Sequence, residues 1–224
     1  MQKPQFRISQ HPLVIHKVSF LRQARGIVSS HDYAQLMREL GTLLAYEATA
    51  NLPLRPLVPK RPDMRAGRII HTDDKPAVVP LVRSGLTMAE GVRSIIPSAY
   101  MGHIGVYYDL ATDSVIEFMV TMPNRIHDRP VLVIDPFIDS GITACAAIDI
   151  ILEYGVLPEN IHFLTLIISK QGYNKLNANS SSAGVTFYAT RIDGHSDDEI
   201  WFDDFDNMNE RLYRTTNKPR RPQS

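Results

Sequence analysis

Cysteine occurs once in these 224 residues, at Cys145, and tryptophan once, at Trp201. A lone cysteine excludes an intrachain disulfide and a cysteine-built metal cluster. Its apolar setting suits a thiol that faces the core. Net charge is absent as well, since Lys plus Arg and Asp plus Glu each number 24. No global field therefore draws the chain to nucleic acid or to a membrane surface. No apolar run approaches spanning length, and the start, Met1 to Arg7, lacks the apolar centre of a secretion signal. The expectation is a soluble cytoplasmic protein. None of the eight histidines pairs at ligand spacing with a carboxylate or with Cys145, so no metal site is expected. Hydrophobic residues make up 44%, enough for one sizeable core.

What is present is concentrated in Val131–Thr143. The apolar run Val131-Leu-Val-Ile134 meets Asp135-Pro136-Phe137-Ile138, then Asp139-Ser140-Gly141-Ile142-Thr143, then a helix from about 141 to 154. A strand that ends in a small-residue turn and opens a helix leaves backbone N–H groups converging beside the positive helix end. The hydroxyls of Ser140 and Thr143 add donors, and Gly141 admits a phosphate close to the backbone. Asp135 can reach a sugar hydroxyl or a metal-bound water. A phosphorylated ribose fits such a cradle; an ordinary capped βα turn has the same outline.

A second segment, Val78-Val-Pro-Leu-Val-Arg83-Ser84-Gly85, is also an apolar strand broken by a turn before a helix. One basic and one acidic turn can lie side by side at the carboxyl edge of a parallel sheet, where ligands of open α/β folds bind. Arg83 suits pyrophosphate, because a planar and permanently charged fork matches phosphate oxygens. A structural salt bridge is its alternative role.

Around these turns the chain alternates strand and helix. Strands are expected at 77–82, 101–108, 114–121, 130–135, 161–168 and 185–189, and helices at 87–95, 141–154 and 171–178. That alternation predicts an α/β fold with a mostly parallel sheet flanked by helices. Apolar spacing at Leu36, Leu40, Leu43 and Leu44 adds an earlier helix, with Ser30 as its N-cap. Gly155 is the expected C-cap of the long helix. Between 51 and 76, Pro53, Pro56, Pro59 and Pro62 alternate with basic residues and predict a small hairpin or irregular arm. Residues 1–216 are expected to form one domain, and 217–224 a disordered polar tail.

These pieces resemble, in order and through nearly the whole chain, the uracil phosphoribosyltransferases of the type I phosphoribosyltransferase fold. The matching stretches are His11-Pro12-Leu13 with His16-Lys17, Gly41 through Ala48, Pro80 through Leu86 and Gly105-Val-Tyr107. Met122-Pro123-Asn124-Arg125-Ile126, Ile134-Asp135-Pro136 through Thr143, and Ala189 through Asp193 complete them. The Asp-Pro pair opening the phosphoribosyl loop is the specific signature.

The resemblance implies that Asp135, Pro136, Phe137, Ile138, Asp139, Ser140, Gly141, Ile142 and Thr143 bind the ribose-5-phosphate end of phosphoribosyl pyrophosphate. Arg83 binds its pyrophosphate, and Arg83 and Asp135 are the catalytic candidates. Magnesium would ride on the pyrophosphate, with no dedicated protein ligands. The implied partners are phosphoribosyl pyrophosphate, uracil or UMP, and further copies of the chain in a dimer or a multiple of one.

Departures from the family pattern are specific. Tyr108 stands where the family has a second pyrophosphate arginine. Ile142 replaces the second of two glycines, so its peptide must adopt an ordinary conformation or the loop must shift. The glycine-rich loop that reads uracil is here Ile200 through Glu210, with Trp201, Asp206, Asn207 and Met208 as base-side candidates. Asn207 replaces an acid that meets phosphoribosyl pyrophosphate. Asp139 either faces a base ring or caps the next helix. Beside uracil transfer stand two other readings, a catalytically weakened nucleotide sensor or assembly partner, and a transferase with a changed base.

Overall fold

The computed structural model describes residues 3–23, 29–57, 65, 67–69 and 75–193. The predicted tail and Trp201, Asp206, Asn207 and Met208 lie outside them.

Its centre is a six-stranded, wholly parallel sheet of β1 (Gln5–Ile8), β4 (Ala77–Pro80), β5 (Tyr100–Met101), β8 (Val131–Ile134), β10 (Ile161–Leu164) and β12 (Thr186–Ala189). The spatial order is β1-β12-β10-β8-β4-β5. All four residues of β4, β8 and β12 are buried. Parallel strands covered on both faces need apolar side chains at every position, not only at alternate ones. Successive residues therefore feed opposite cores. Leu132, Ile134 and Leu164 pack with α1 (Pro12–Gln23), α2 (Ser30–Ala48) and α3 (Leu86–Ile95). Val131, Val133, Phe163 and Phe187 pack with α4 (Ile142–Glu153) and α5 (Lys170–Ala178) on the other face. Cys145 is buried there, as expected.

Three strands break near their carboxyl ends and resume. The second pieces are β9 (Phe137–Ile138), β11 (Ile167–Ile168) and β13 (Arg191–Ile192), which form a small parallel sheet. The stretch 161–168, expected as one strand, is thus two. At the break, the Thr165 hydroxyl donates to the Pro136 carbonyl at 3.1 Å, and the Leu166 N–H donates to the same oxygen at 2.8 Å. Similarly, 101–108 divides into β5 and β6 (His103–Asp109), and β6 pairs antiparallel with β7 (Ser114–Thr121). The strand expected to reach residue 82 ends at Pro80, because Leu81 and Val82 turn into the Arg83 loop.

The N-cap of α2 is Ser29, not Ser30, and its hydroxyl accepts from the Asp32 N–H. Leu36, Leu40 and Leu44 are buried as predicted, whereas Leu43 is half-buried. Gly155 follows α4 with φ of 81°, the left-handed conformation expected of a C-cap glycine. In the arm, β2 (Arg55–Leu57) and β3 (Gly67–Ile69) pair antiparallel, which settles the expected choice in favour of a hairpin.

Candidate active site

Adjacent strands β4 and β8 deliver the two turns singled out in the sequence. Their pairing runs from Ala77–Val131 to Pro80–Ile134, so both chains leave the sheet at the same level. The Leu81 N–H continues the ladder to the Ile134 carbonyl at 2.9 Å. From there Val82-Arg83-Ser84-Gly85 loops into α3, and the Val82–Arg83 peptide is cis. In turn α3 packs closely on α2, where Gly91 lies against the Arg38 carbonyl.

Between the turns opens a cleft of about 450 Å³, lined by Arg83, Ser84, Asp135 and Thr143 together with Tyr107 and Phe118. Arg83 is exposed and Asp135 is buried. The Ser84 hydroxyl donates to Asp135 Oδ1 at 2.6 Å. Burial pushes the Asp135 carboxyl up to about 7, against smaller lowering effects of the Ser84 hydroxyl and the Phe137 backbone N–H. A carboxyl poised there exchanges its proton near neutral pH.

The acidic turn is held from behind. Besides the bonds to the Pro136 carbonyl, the Ser169 hydroxyl donates to the Asp139 carbonyl at 2.6 Å. Gly172 in α5 packs so closely on that carbonyl that a side chain there would displace it. Gly141 takes φ of 77° and Ile142 begins α4 in helical conformation. One left-handed residue is enough to turn the chain, which is why Ile142 is tolerated after Gly141. The first-turn N–H groups of α4 lack intrahelical acceptors, as at any helix start, and Thr143 carries this end of the helix to the cleft.

The nine predicted loop residues do not all face the cleft. Thr143 and Asp135 line it. Pro136, Ile138 and Gly141 are buried, and Phe137 packs on the core beneath α2. Ile142 points the other way, into a hollow beside Cys145 and Lys175. Asp139 is exposed, and among the described residues its carboxylate makes no hydrogen bond to α4. Only the Ser140 hydroxyl, at 3.4 Å from the Ile142 N–H, approaches a cap. The capping role considered for Asp139 is therefore not the observed one.

Tyr108, at the place of the expected second arginine, donates its hydroxyl to Asp113 across the β6–β7 hairpin. Its neighbour Tyr107 is the one that lines the cleft, near Phe118 with ring centroids 6.2 Å apart. Sequence reasoning gave no role to Ser84, Tyr107 or Phe118. The period of two along a strand was the available signal, since it sends Tyr107 and Tyr108 to opposite faces. Phe118 is fitted by Gly105, over which its ring lies too closely for a side chain.

Comparison with known proteins gives a consistent identity. The family model described as "Uracil phosphoribosyltransferase" matches residues 8–215. A uracil phosphoribosyltransferase of Ralstonia pickettii (strain 12J) is 34% identical over 221 residues, covering 96% of this chain and 97% of the relative. One of Staphylococcus epidermidis (strain ATCC 12228 / FDA PCI 1200) is 34% identical over 196 residues, covering 87% and 90%. One of Lactococcus lactis subsp. cremoris (strain MG1363) is 32% identical over 188 residues, covering 84% and 87%. Among solved structures, the AQ2163 protein from Aquifex aeolicus superposes with a TM-score of 0.80 at 21% identity, covering 96% of this chain and all of that one, a likeness of fold. With the family model spanning residues 8–215, both turns of the cleft included, and relatives above 30% identity over most of the chain, the chain belongs to the uracil phosphoribosyltransferase family.

Proposed function

We propose that this protein transfers the 5-phosphoribosyl group of phosphoribosyl pyrophosphate to uracil, giving UMP and pyrophosphate in pyrimidine salvage. The observation that carries the reading is one cleft in which Arg83 and Thr143 flank the buried Asp135. Relatives of that name match over most of the chain. The start of α4 and the hydroxyls of Ser140 and Thr143 receive the 5-phosphate. Asp135 accepts a hydrogen bond from a ribose hydroxyl, and Arg83 holds the pyrophosphate. The transfer passes through an oxocarbenium-like state, so these groups act by position and charge and none forms a covalent bond.

Magnesium is assigned to the pyrophosphate oxygens. The described residues hold no group of three or more His, Cys, Asp or Glu side chains that would bind it alone. When bound, it neutralises charge on the leaving group. Trp201, Asp206, Asn207 and Met208 are assigned to the base. The active form is a homodimer or a multiple of one, with the 51–76 arm reaching toward a partner, and it works in the cytoplasm.

Purified protein supplied with phosphoribosyl pyrophosphate, magnesium and a panel of pyrimidine and purine bases tests the assignment. Saturable pyrophosphate release with uracil, and UMP as the product, is expected. Release with a purine instead, or with no base at all, would replace this reading.

A further inference from the structure

Ser84 belongs to the basic turn, yet its hydroxyl is spent on the acidic one. It donates to Asp135 Oδ1 at 2.6 Å across 51 positions of sequence. Asp135 follows directly on β8 and is 7% exposed, so few other donors can reach its carboxylate. Those identified are the Ser84 hydroxyl and the Phe137 N–H. Among the described residues, the charged and titratable side chains that share its cleft are Arg83 from the basic turn and Tyr107 from β6. On its own loop the nearest acid is Asp139, which is exposed. From behind, β10 and β11 present Thr165, whose hydroxyl is committed to the Pro136 carbonyl.

We infer that Ser84 is a positioning residue for the transfer reaction: it orients Asp135 and holds it as a carboxylate, ready to accept from the ribose. This inference rests on the proposed function for its role in turnover, but not for the bond itself. A hydroxyl that donates to a charged acceptor favours the ionised form and fixes which lone pairs remain. With Oδ1 engaged by Ser84 and a further acceptor site by the Phe137 N–H, the carboxylate is held in one orientation in the lining of the cleft. Burial works in the opposite direction and brings the carboxyl to about 7. Loss of the Ser84 hydroxyl therefore leaves burial less opposed, and the carboxyl stays protonated to higher pH.

The test compares wild type, Ser84→Ala and Ser84→Thr in two measurements. The first is the pH profile of kcat/KM for uracil-dependent pyrophosphate release. In Ser84→Ala the acidic limb should move up by about one pH unit, the size expected from a charge-assisted hydrogen bond. Activity should return toward the wild-type level at alkaline pH, and Ser84→Thr should restore the original limb. A uniform loss at every pH, with the limb unmoved, would show Ser84 to be merely structural and overturn the inference. The second measurement follows the Asp135 carboxyl directly by carbon-13 NMR, with Asp135→Asn to assign the signal. An upward shift of that titration in Ser84→Ala supports the inference, and an unmoved titration overturns it. If wild type releases no pyrophosphate with uracil, the proposed function fails, and the carboxyl titration still decides the claim about Ser84.

Discussion

Gly85 lies against the carbonyl oxygen of Ile134, closer than any side-chain carbon could approach. The start of α3 is thereby seated on the end of β8, one residue before Asp135. This contact brings the basic and acidic turns to one cleft, because it leaves no room for a layer of side chains between them. In Gly85→Ala the two turns must separate, or the Ile134 carbonyl must leave its bond from the Leu81 N–H. Uracil-dependent turnover should fall at least tenfold, with a melting temperature lowered by a few degrees. A fully active Gly85→Ala enzyme would mean that the spacing of the turns is not critical.

Among the described residues, Arg83 is the cation that lines this cleft, while Tyr108, two positions after Val106, turns to Asp113. Charge-assisted contacts are worth roughly 1.5–3 kcal/mol. Arg83→Ala should accordingly weaken phosphoribosyl pyrophosphate binding more than tenfold in calorimetry. Unchanged affinity in Arg83→Ala would assign that side chain a structural part.

The features legible in the sequence are those fixed by local pattern. Val131–Ile134 reads as a buried strand and Gly155 as the cap of α4; both hold in the structure. The four residues between Asp109 and Ser114 are too few for a parallel crossover, so β6 and β7 had to pair antiparallel. The break at Thr165 was not legible. Every residue around it suits a strand, and the chain is interrupted by bonds to Pro136, which is distant in sequence. The same limit hid the Ser84–Asp135 bond and the perturbed titration of Asp135. Both arise from burial and long-range approach, which a turn motif does not encode.

Trp201 is the sole indole, and its assignment to the base side rests on the family resemblance of the 200–210 loop. An indole at that place can stack on a flat ring or close the pocket, since its large apolar face needs cover, and the stacked arrangement is the one put to the test. Uracil or UMP should therefore quench or shift its fluorescence, and Trp201→Ala should raise the uracil concentration needed for half-saturation. Saturable uracil turnover with a silent Trp201 would move the base site elsewhere.

Asp135 also makes stability depend on pH, with a sign opposite to that of a salt-bridged acid. Its folded-state value of about 7 lies above the ordinary carboxylate value of 3.8. Between those values the folded protein binds a proton that the unfolded chain has released, so stability falls as pH rises. The contribution is fully present below the unfolded value and is lost as pH rises through the folded one. Its upper limit is roughly 4 kcal/mol, since each tenfold change in a protonation equilibrium corresponds to about 1.4 kcal/mol. Asp135→Asn cannot ionise, so the stability difference between the variant and wild type isolates this one group. Denaturant unfolding of the ligand-free protein from pH 4 to pH 8 should show the variant gaining on wild type across the range and levelling off above about pH 7. A difference independent of pH would place the Asp135 carboxyl in its ordinary range, and would remove the physical basis for a neutral-pH switch in this cleft.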